Sequence, residues 1–387
     1  FGVVQSTRSP TSTASRKIAD LEALRAIGIV IVFFQHFRAN VWWPDEWMPF
    51  AVRYLNGGVG VDMFFVLSGF VIGLTLLNRL DRSRGRGFSI EVTAFWLRRS
   101  WRLFPVAWTW LAIPMTLAVV YNESGAFGTV HGNLQASAAA VLHVANFYFH
   151  VAWGQEELQN SVYVYWSLSL EEQFYLLLPL IVWVSGRRLP VVLALLGCVL
   201  VLLDPDVAPR WLIRSSGFSW GVLLAYAHDA GWTERVRPRW LTRGWARVLF
   251  VSSSFAAMAW CRGGDPVLHF APVVVLSTGL VLAASFDAGY VAHGEVTRRL
   301  GNWLGARAYT IYLVHIPAFA FVAETFERFE LDPRADSELP WLLGAYMAAA
   351  VVLPLLLAEL SHRCIEIPLR NRGRRISDRY LERVAHR

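Results

Sequence analysis

Residues 165–184 read YWSLSLEEQFYLLLPLIVWV, and this stretch decides the fold class. Its last two-thirds suit a membrane interior, because a helix needs about 20 mostly apolar residues to cross a bilayer. Its first half carries two adjacent carboxylates, Glu171 and Glu172. Ionisable side chains inside a span are costly and are candidates for function by default. The stretch therefore predicts a transmembrane helix that brings an acid into a polar interior.

The composition extends this interpretation to the whole chain. Of its 387 residues, 55% are hydrophobic and 18 are tryptophans, and it lacks the long polar stretches that a soluble multidomain enzyme needs. The net charge of +7 comes from arginines gathered in a few loops, which indicates membrane orientation and not nucleic-acid binding. The three cysteines have neither metal-type nor redox spacing, so they predict no metal site.

We predict an all-α fold, a polytopic transmembrane bundle of about ten spans. The predicted spans are 18–37, 58–78, 101–121, 164–184, 189–203, 211–228, 245–261, 267–286, 303–325 and 340–361. The loop charges decide the status of a weaker candidate, 134–150, because positive residues favour the cytoplasmic side. If it crossed, every later arginine-rich loop would lie on the wrong side. We therefore expect a re-entrant or surface helix there, with both termini in the cytoplasm.

The predicted organisation has three parts. Residues 1–17 form a disordered cytoplasmic segment, because they are polar and lack the apolar core of a signal peptide. Residues 18–362 form one transmembrane domain. Residues 363–387 form a basic cytoplasmic tail, which is too short to be a second folded domain.

Two polar residues of the first predicted span, Arg25 and His36, lie on one helical face. Their spacing corresponds to three turns plus about 20°, and to about 16 Å along the helix axis. Arg25 falls near the inner surface and His36 near the outer one. A lone histidine near a span end is usually a hydrogen-bonded interface residue. One on the same stripe as an arginine indicates a polar path through the bundle.

Two further positions each allow two interpretations. Asp62, in the second predicted span, enters at about the depth of His36 and is either part of the same polar site or a helix N-cap. Arg99 and Arg102, before the third span, share one helical face at the cytoplasmic surface. They either anchor the chain by the positive-inside rule or bind phosphates. The sequence leaves both alternatives open.

The fourth and ninth predicted spans supply the other candidates. Ser167, Glu171 and Tyr175 form one polar stripe, so we predict that Glu171 faces the interior in the outer half of the membrane. We place Glu172 at the periphery, near the outer headgroups, because it aligns with leucines. In the ninth span, Tyr312 and His315 face the same way. The predicted outer layer of polar residues is His36, Asp62, Glu171 and His315. The predicted inner layer is Arg25, Arg99 and Arg102.

This arrangement suits a general base acting on a hydroxyl, with arginines for a phosphorylated cytoplasmic ligand. The sequence has no G-x-S-x-G, Walker loop or H-E-x-x-H, so a serine hydrolase, an ATPase and a zincin lack support. One alternative is a proton-coupled transporter or exporter, because buried ionisable residues also form proton relays. Such proteins often have two pseudo-symmetric halves, and no such pairing is found. The other alternative, a non-catalytic membrane scaffold, does not need converging polar stripes.

From about Leu21 to Pro368 the chain resembles acyltransferase family 3, a family of multi-pass membrane acyltransferases, through six motifs in the same order. The motifs are R-x10-H at Arg25 and His36, GVD-x-FFVLSGF at 60–70, R-x-x-R at Arg99 and Arg102, WSL-x-x-E-x-x-FY at 166–175, S-x-x-x-Y-x-x-H at 308–315, and E-x-P at Glu366 and Pro368. Each motif alone is weak, and six in order are strong. The chain departs from the pattern at Ala308, where the family has serine, and at Glu22-Ala23, where it has Asp-Gly. The family's optional esterase-like domain is not expected here.

The resemblance implies an enzyme of the bacterial plasma membrane that moves an acyl group from acyl-CoA to a hydroxyl. Acetyl-CoA is the expected donor, and the acceptor is a sugar, a surface polysaccharide or a glycosylated secondary metabolite. On this basis His36 is the expected general base, and Glu171 supports it. The expected donor-binding residues are Arg25, Arg99 and Arg102. The expected acceptor-side residues are Asp62, Tyr312 and His315. The lipid bilayer is a further partner, and neither a metal nor nucleic acid is expected.

Overall fold

A computed structural model of the chain describes residues 18–42, 57–83, 85–151, 162–203, 209–261, 266–331 and 340–385. These residues form helices joined by turns and short irregular segments, and they contain no β-strand. The prediction of an all-α fold is therefore confirmed. The predicted disordered segment 1–17 lies outside the described residues.

The helices follow the predicted spans closely. In chain order, the α-helices are α1 Ala19–Asn40, α2 Gly58–Arg82, α3 Arg86–Val120, α4 Val130–Val141, α5 Ala145–Val151, α6 Tyr165–Ser185, α7 Leu189–Val201, α8 Arg210–Arg214, α9 Ser216–Asp229, α10 Gly244–Trp260, α11 Pro266–Ser285, α12 Gly294–Arg328, α13 Pro340–Ser361 and α14 Ile367–Ala385. Short 3-10 helices occupy Gly186–Arg188, Trp232–Val236 and Arg239–Thr242, and a π-helical turn occupies His362–Glu366.

Five helical segments of the described chain are long and apolar enough to cross a membrane. They are Gly58–Leu80, Gly87–Val120, Tyr165–Val201, Gly294–Arg328 and Trp341–Val384. Tyr165–Val201 contains two predicted spans, which meet at a turn where Gly186 has a φ of 50°. α1 also coincides with a predicted span, but its first turn carries two acids. The chain is a polytopic membrane protein, and the count of ten crossings stays a prediction.

α1 packs between α2 and α12, and glycine sets the distance between these helices. A Cβ atom at Gly305 of α12 would lie 2.2 Å from the backbone oxygen of Glu22 in α1. A similar contact joins α2 to α9, where a Cβ atom at Gly69 would lie 2.3 Å from the carbonyl oxygen of Phe218. Small residues let membrane helices approach closely, so that van der Waals packing can hold them together. α1 therefore lies against α12 along the face that carries its polar side chains.

α4 and α5 form a short helical hairpin at 130–151, the region of the weaker apolar candidate. They have 12 and 7 residues, too few to cross a bilayer, as the loop charges predicted. The turn between them contains His143, whose φ is 58°. The imidazole of His143 stacks on Phe104, near the middle of α3, at 5.1 Å between ring centroids. The hairpin therefore inserts its turn against the central part of the bundle.

This hairpin overturns the predicted position of Glu172. The carboxylate of Glu172 is paired with the imidazole of His143, and the residue is only 5% exposed. The neighbouring Gln173 donates a hydrogen bond of 2.6 Å to the carbonyl oxygen of His143. The peripheral position was wrong because the helical spacing of one span shows which residues share a face. It does not show whether lipid or another helix covers that face.

The predicted basic tail is a helix for most of its length. α13 continues through the π-helical turn into α14, which packs along the first half of α3. Arg98 of α3 donates a 2.7 Å hydrogen bond to the hydroxyl of Ser377, and Ser377 donates one of 3.2 Å to the carbonyl of Ala94. Gly373 lies against Trp101, with no room for a Cβ atom. This packing brings the start of α14 close to the arginines of α3.

Candidate active site

His36 of α1 and His315 of α12 form a hydrogen-bonded pair of imidazoles. Nδ1 of His36 lies 2.7 Å from Nε2 of His315, the ring centroids are 4.9 Å apart, and the ring planes are inclined by 23°. His315 is completely buried, and its Nδ1 lies 3.0 Å from the carbonyl oxygen of Ile311. His36 is only partly buried. The partly accessible ring of His36 therefore contacts the buried ring of His315, which is itself hydrogen-bonded to the backbone of α12.

Aromatic side chains surround this pair. The ring of Tyr163 meets His36 edge to face at 5.4 Å, and the ring of Phe319 meets His315 at 5.7 Å. The tilted ring of Tyr312 lies 5.9 Å from His315. The hydroxyl oxygens of Tyr312 and Ser167 are 2.6 Å apart. The predicted common face of Tyr312 and His315 is present, and Ser167 of α6 joins it.

Glu171 belongs to a second polar cluster. Its Oε1 accepts hydrogen bonds from the hydroxyl of Ser68 at 2.6 Å and from Nη2 of Arg99 at 3.2 Å. The hydroxyl of Tyr175 also donates to this carboxylate. The guanidinium of Arg99 lies 4.1 Å from the centre of the Tyr175 ring. The three residues of the predicted stripe on α6 thus face the interior, although they divide between two clusters.

These contacts correct the predicted separation into a histidine–carboxylate layer and an arginine layer. Glu171 is bonded to Arg99, which the prediction placed in the other layer. On α6, Ser167 is one turn before Glu171 and contacts Tyr312, beside the histidine pair. The helix therefore reaches both clusters, with Glu171 one turn farther towards the arginines.

Arg102 sits among charged groups next to this cluster. The charges close enough to interact with its guanidinium are those of Arg25, Arg99, Arg370 and Glu366. The Nε atoms of Arg99, Arg102 and Arg370 are buried and have no hydrogen-bond acceptor within the described part of the chain. A buried polar donor without a partner is costly, so unpaired guanidinium nitrogens favour an anionic ligand.

The carboxylates near this cluster each have at least one partner, although Oε2 of Glu22 is buried without a hydrogen-bond donor in the described part of the chain. Glu22 pairs with Arg25 at 2.5 Å. Glu366 accepts hydrogen bonds from Thr310 at 2.8 Å and His362 at 2.7 Å, and its other oxygen lies 3.6 Å from Arg370. Buried carboxylates with several donors are fixed in place. Arg25 and Arg370 therefore have carboxylate partners before any ligand binds.

Asp62 forms an ion pair with Arg214, which was not among the predicted site residues. Its carboxylate accepts hydrogen bonds from Nε and Nη2 of Arg214 at 2.6 and 3.2 Å. Arg214 also donates to the carbonyl of Gly58 at 2.6 Å and lies over the ring of Trp166. The N-cap alternative for Asp62 is wrong, because α2 already begins at Gly58. The sequence does contain a signal for Arg214 as a site residue, because it is an arginine within the predicted apolar span 211–228.

Seven of the eight predicted site residues thus fall into two groups, and Asp62 belongs to neither because it pairs with Arg214. His36, Tyr312 and His315 make up the first, and Arg25, Arg99, Arg102 and Glu171 make up the second. Ser68 and Arg370 are additions to the second group, and the signal for Ser68 was its position in the GVD-x-FFVLSGF stretch. Among the described residues, no cluster of three or more His, Cys, Asp or Glu side chains could hold a metal ion.

In comparisons with known proteins, the chain is similar to acyltransferases. A family model described as an acyltransferase domain matches residues 18–359. The peptidoglycan O-acetyltransferase of Listeria monocytogenes is 26% identical over 94% of this chain and 57% of its own length. An O-acetyltransferase of Staphylococcus aureus is 24% identical over 92% of this chain and 58% of its own length. The chain thus spans a little over half the length of these curated relatives. No solved structure matches the chain.

Proposed function

The chain belongs to the acyltransferase family matched by that model, and from this premise we propose that it transfers an acyl group from acyl-CoA to a carbohydrate hydroxyl. The names of the relatives support an acetyl group and a cell-wall polysaccharide or another sugar as acceptor. The proposal includes ten spans in the bacterial plasma membrane, with both termini in the cytoplasm. Positively charged loops on the inner side support this orientation.

One observation carries the proposal: the partly accessible His36 lies on the same helix as Arg25, one of the four arginines (Arg25, Arg99, Arg102 and Arg370) that make up the arginine cluster. His36 and Arg25 are on one face of α1, about 16 Å apart along the axis. Acyl-CoA has phosphates at one end and its thioester at the other, joined by a long flexible pantetheine arm. The site therefore offers a separate group for each end of such a donor.

The arginine cluster is proposed to hold the phosphates of CoA. Guanidinium groups form strong, directional hydrogen bonds with phosphate oxygens. Arg99 and Arg102 have unpaired buried Nε atoms, and Arg25 and Arg370 carry charges that act on Arg102. Glu171 fixes the position of Arg99 through Oε1. The proposed role of Glu171 is therefore to hold the arginine that contacts the donor, next to the reacting groups.

His36 is proposed to act as the general base. It accepts the proton of the acceptor hydroxyl while the hydroxyl oxygen attacks the acyl carbonyl. The C–S bond then breaks, and the thiolate of CoA leaves with the proton that His36 returns to it. The products are an ester and free CoA, so no oxidant or other reactant is consumed.

The acceptor is proposed to approach from the side of Tyr163, Trp166 and Tyr312. Aromatic faces and polar groups together suit a sugar, which has both apolar C–H faces and hydroxyls. Asp62 and His315 were predicted to line the same side. Their burial and existing partners favour a supporting role, in which Asp62 orients Arg214 and His315 contacts His36.

The test is acyl transfer by purified protein in nanodiscs. Free CoA release is followed from acetyl-CoA and from longer acyl-CoAs, with and without peptidoglycan fragments and other candidate sugars. We expect release that depends on an acceptor and is lost in His36→Ala. Full transfer by folded His36→Ala would remove the general base from the proposal. If the wild type neither binds nor consumes acyl-CoA, the proposed reaction is wrong, and proton-coupled transport becomes the next hypothesis to measure.

A further inference from the structure

The contacts of His315 determine which nitrogen of His36 is available for chemistry. Nδ1 of His315 lies 3.0 Å from the carbonyl oxygen of Ile311. A carbonyl oxygen can only accept a hydrogen bond, so Nδ1 of His315 carries a hydrogen. A neutral imidazole has one N–H, which leaves Nε2 of His315 with a lone pair.

That lone pair determines which of the two rings donates the hydrogen bond between them. Nε2 of neutral His315 can only accept, so the hydrogen over the 2.7 Å distance belongs to Nδ1 of His36. His36 is then the Nδ1–H tautomer, and its own Nε2 has a free lone pair. A lone pair on the accessible ring is what a general base needs.

Burial supports the neutral form of His315. The ring is completely enclosed, and its neighbours include Phe33, Phe319 and Tyr312. A charged ring in such surroundings is costly without an ionised partner. Its nitrogens contact the backbone carbonyl of Ile311 and the imidazole of His36, and neither of these partners is a carboxylate.

We propose that His315 is a positioning residue that fixes His36 in the Nδ1–H tautomer, so that Nε2 of His36 takes the proton of the acceptor hydroxyl. This inference rests on the proposed function, and it gives His315 a role without contact with the acceptor. The chain of contacts runs from the backbone of α12, through a buried ring, to the reacting ring on α1. Fixing the tautomer matters because the wrong one presents an N–H where the substrate proton must go.

Two variants of His315 separate this role from simple packing. Leu in His315→Leu fills much of the ring volume and offers no hydrogen-bond acceptor. Gln in His315→Gln places an amide oxygen about where Nε2 of His stands, so it can accept from His36. Thr325→Val on the same helix is the matched control, because Thr325 bonds to Phe321 and Tyr121 and has no contact with the histidine pair.

We expect His315→Leu to lower kcat by about 10²-fold, within the range of general acid–base catalysis, with the KM for acyl-CoA unchanged. His315→Gln should recover most of that loss, and Thr325→Val should match the wild type. Nitrogen-15 NMR of histidine-labelled protein in nanodiscs should show an Nδ1–H signal that disappears in His36→Ala and shifts in His315→Leu.

Three results would overturn the inference. The first is a His315→Leu variant with wild-type kcat. The second is equal loss in the Leu and Gln variants together with a lower melting temperature, which would indicate a packing role. The third is a spectrum in which His36 is the Nε2–H tautomer. Failure of the proposed function looks different: either the wild type shows no acyl transfer or folded His36→Ala keeps full transfer, whereas the tautomer of His36 can still be measured in the wild-type protein.

Discussion

Glu171 of α6 is hydrogen-bonded to Arg99 of α3, with 3.2 Å between Oε1 and Nη2. The same oxygen accepts hydrogen bonds from Ser68 of α2 and from Tyr175, so one carboxylate joins three helices. A carboxylate held in this way is positioned before a ligand arrives, and so is the arginine bound to it. The pair links the packing of the bundle to the proposed donor site.

Arg99 and Glu171 should behave as one unit in mutagenesis. Arg99→Gln and Glu171→Gln are each expected to lower kcat/KM for acyl-CoA by about 10- to 100-fold, because a hydrogen bond to a charged group contributes about 1.5–3 kcal/mol. The double variant should be no worse than the poorer single variant. A double-mutant cycle on initial rates measures this coupling. Additive losses would show that the two side chains act independently.

Arg102 should contribute to donor affinity. Arg102→Gln is expected to raise the Kd for CoA about tenfold, since losing one charge-assisted contact of about 1.4 kcal/mol has that effect. Isothermal titration with CoA measures the change. Arg298→Gln is the matched control, because Arg298 is an exposed arginine on α12. Equal weakening in the two variants would mean that only general positive charge attracts CoA.

Part of this architecture follows from the sequence, and part depends on distant pairings. Helical periodicity places Arg25 and His36 on one face, because both belong to one uninterrupted helix. It cannot place His315 against His36, because those residues are 279 positions apart and meet only when α1 packs on α12. The same holds for Asp62 and Arg214, which are 152 positions apart. Apolar patterns predict the helices, whereas partners across helices depend on packing.

The ion pair of Asp62 should be structural. Asp62→Asn leaves the partly buried guanidinium of Arg214 without its anion, and removing one partner of a fully buried pair costs about 3–5 kcal/mol, which is the upper bound here. We expect a clearly lower melting temperature in detergent. Asp62→Asn combined with Arg214→Gln should lose less stability than the two single effects added together. An unchanged melting temperature in Asp62→Asn would contradict a structural role for the pair.

Gly305 should be intolerant of any side chain. A Cβ atom there would meet the backbone oxygen of Glu22 at 2.2 Å, so Gly305→Ala must push α1 away from α12. We expect a lower melting temperature and a loss of acyl transfer, because the same contact holds His36 against His315, ten residues farther along α12. Gly344→Ala is the matched control, since no atom lies within 4 Å of its added Cβ. Equal behaviour of the two variants would contradict the close contact.

Mutations of the two adjacent acids of α6 should affect different properties: stability for Glu172 and catalytic efficiency for Glu171. Glu172 pairs with His143 at the left-handed turn of the α4–α5 hairpin, whereas Glu171 holds Arg99. Glu172→Gln should therefore lower stability by about 1–3 kcal/mol, the cost of leaving a buried polar partner poorly satisfied, with near-normal kcat in the folded protein. Glu171→Gln should lower catalytic efficiency with a smaller change in melting temperature. Melting curves and initial rates on the same preparations measure both effects, each variant serving as control for the other. If Glu172→Gln instead lowered catalytic efficiency and Glu171→Gln mainly lowered the melting temperature, the hairpin, and not the arginine cluster, would support the reaction.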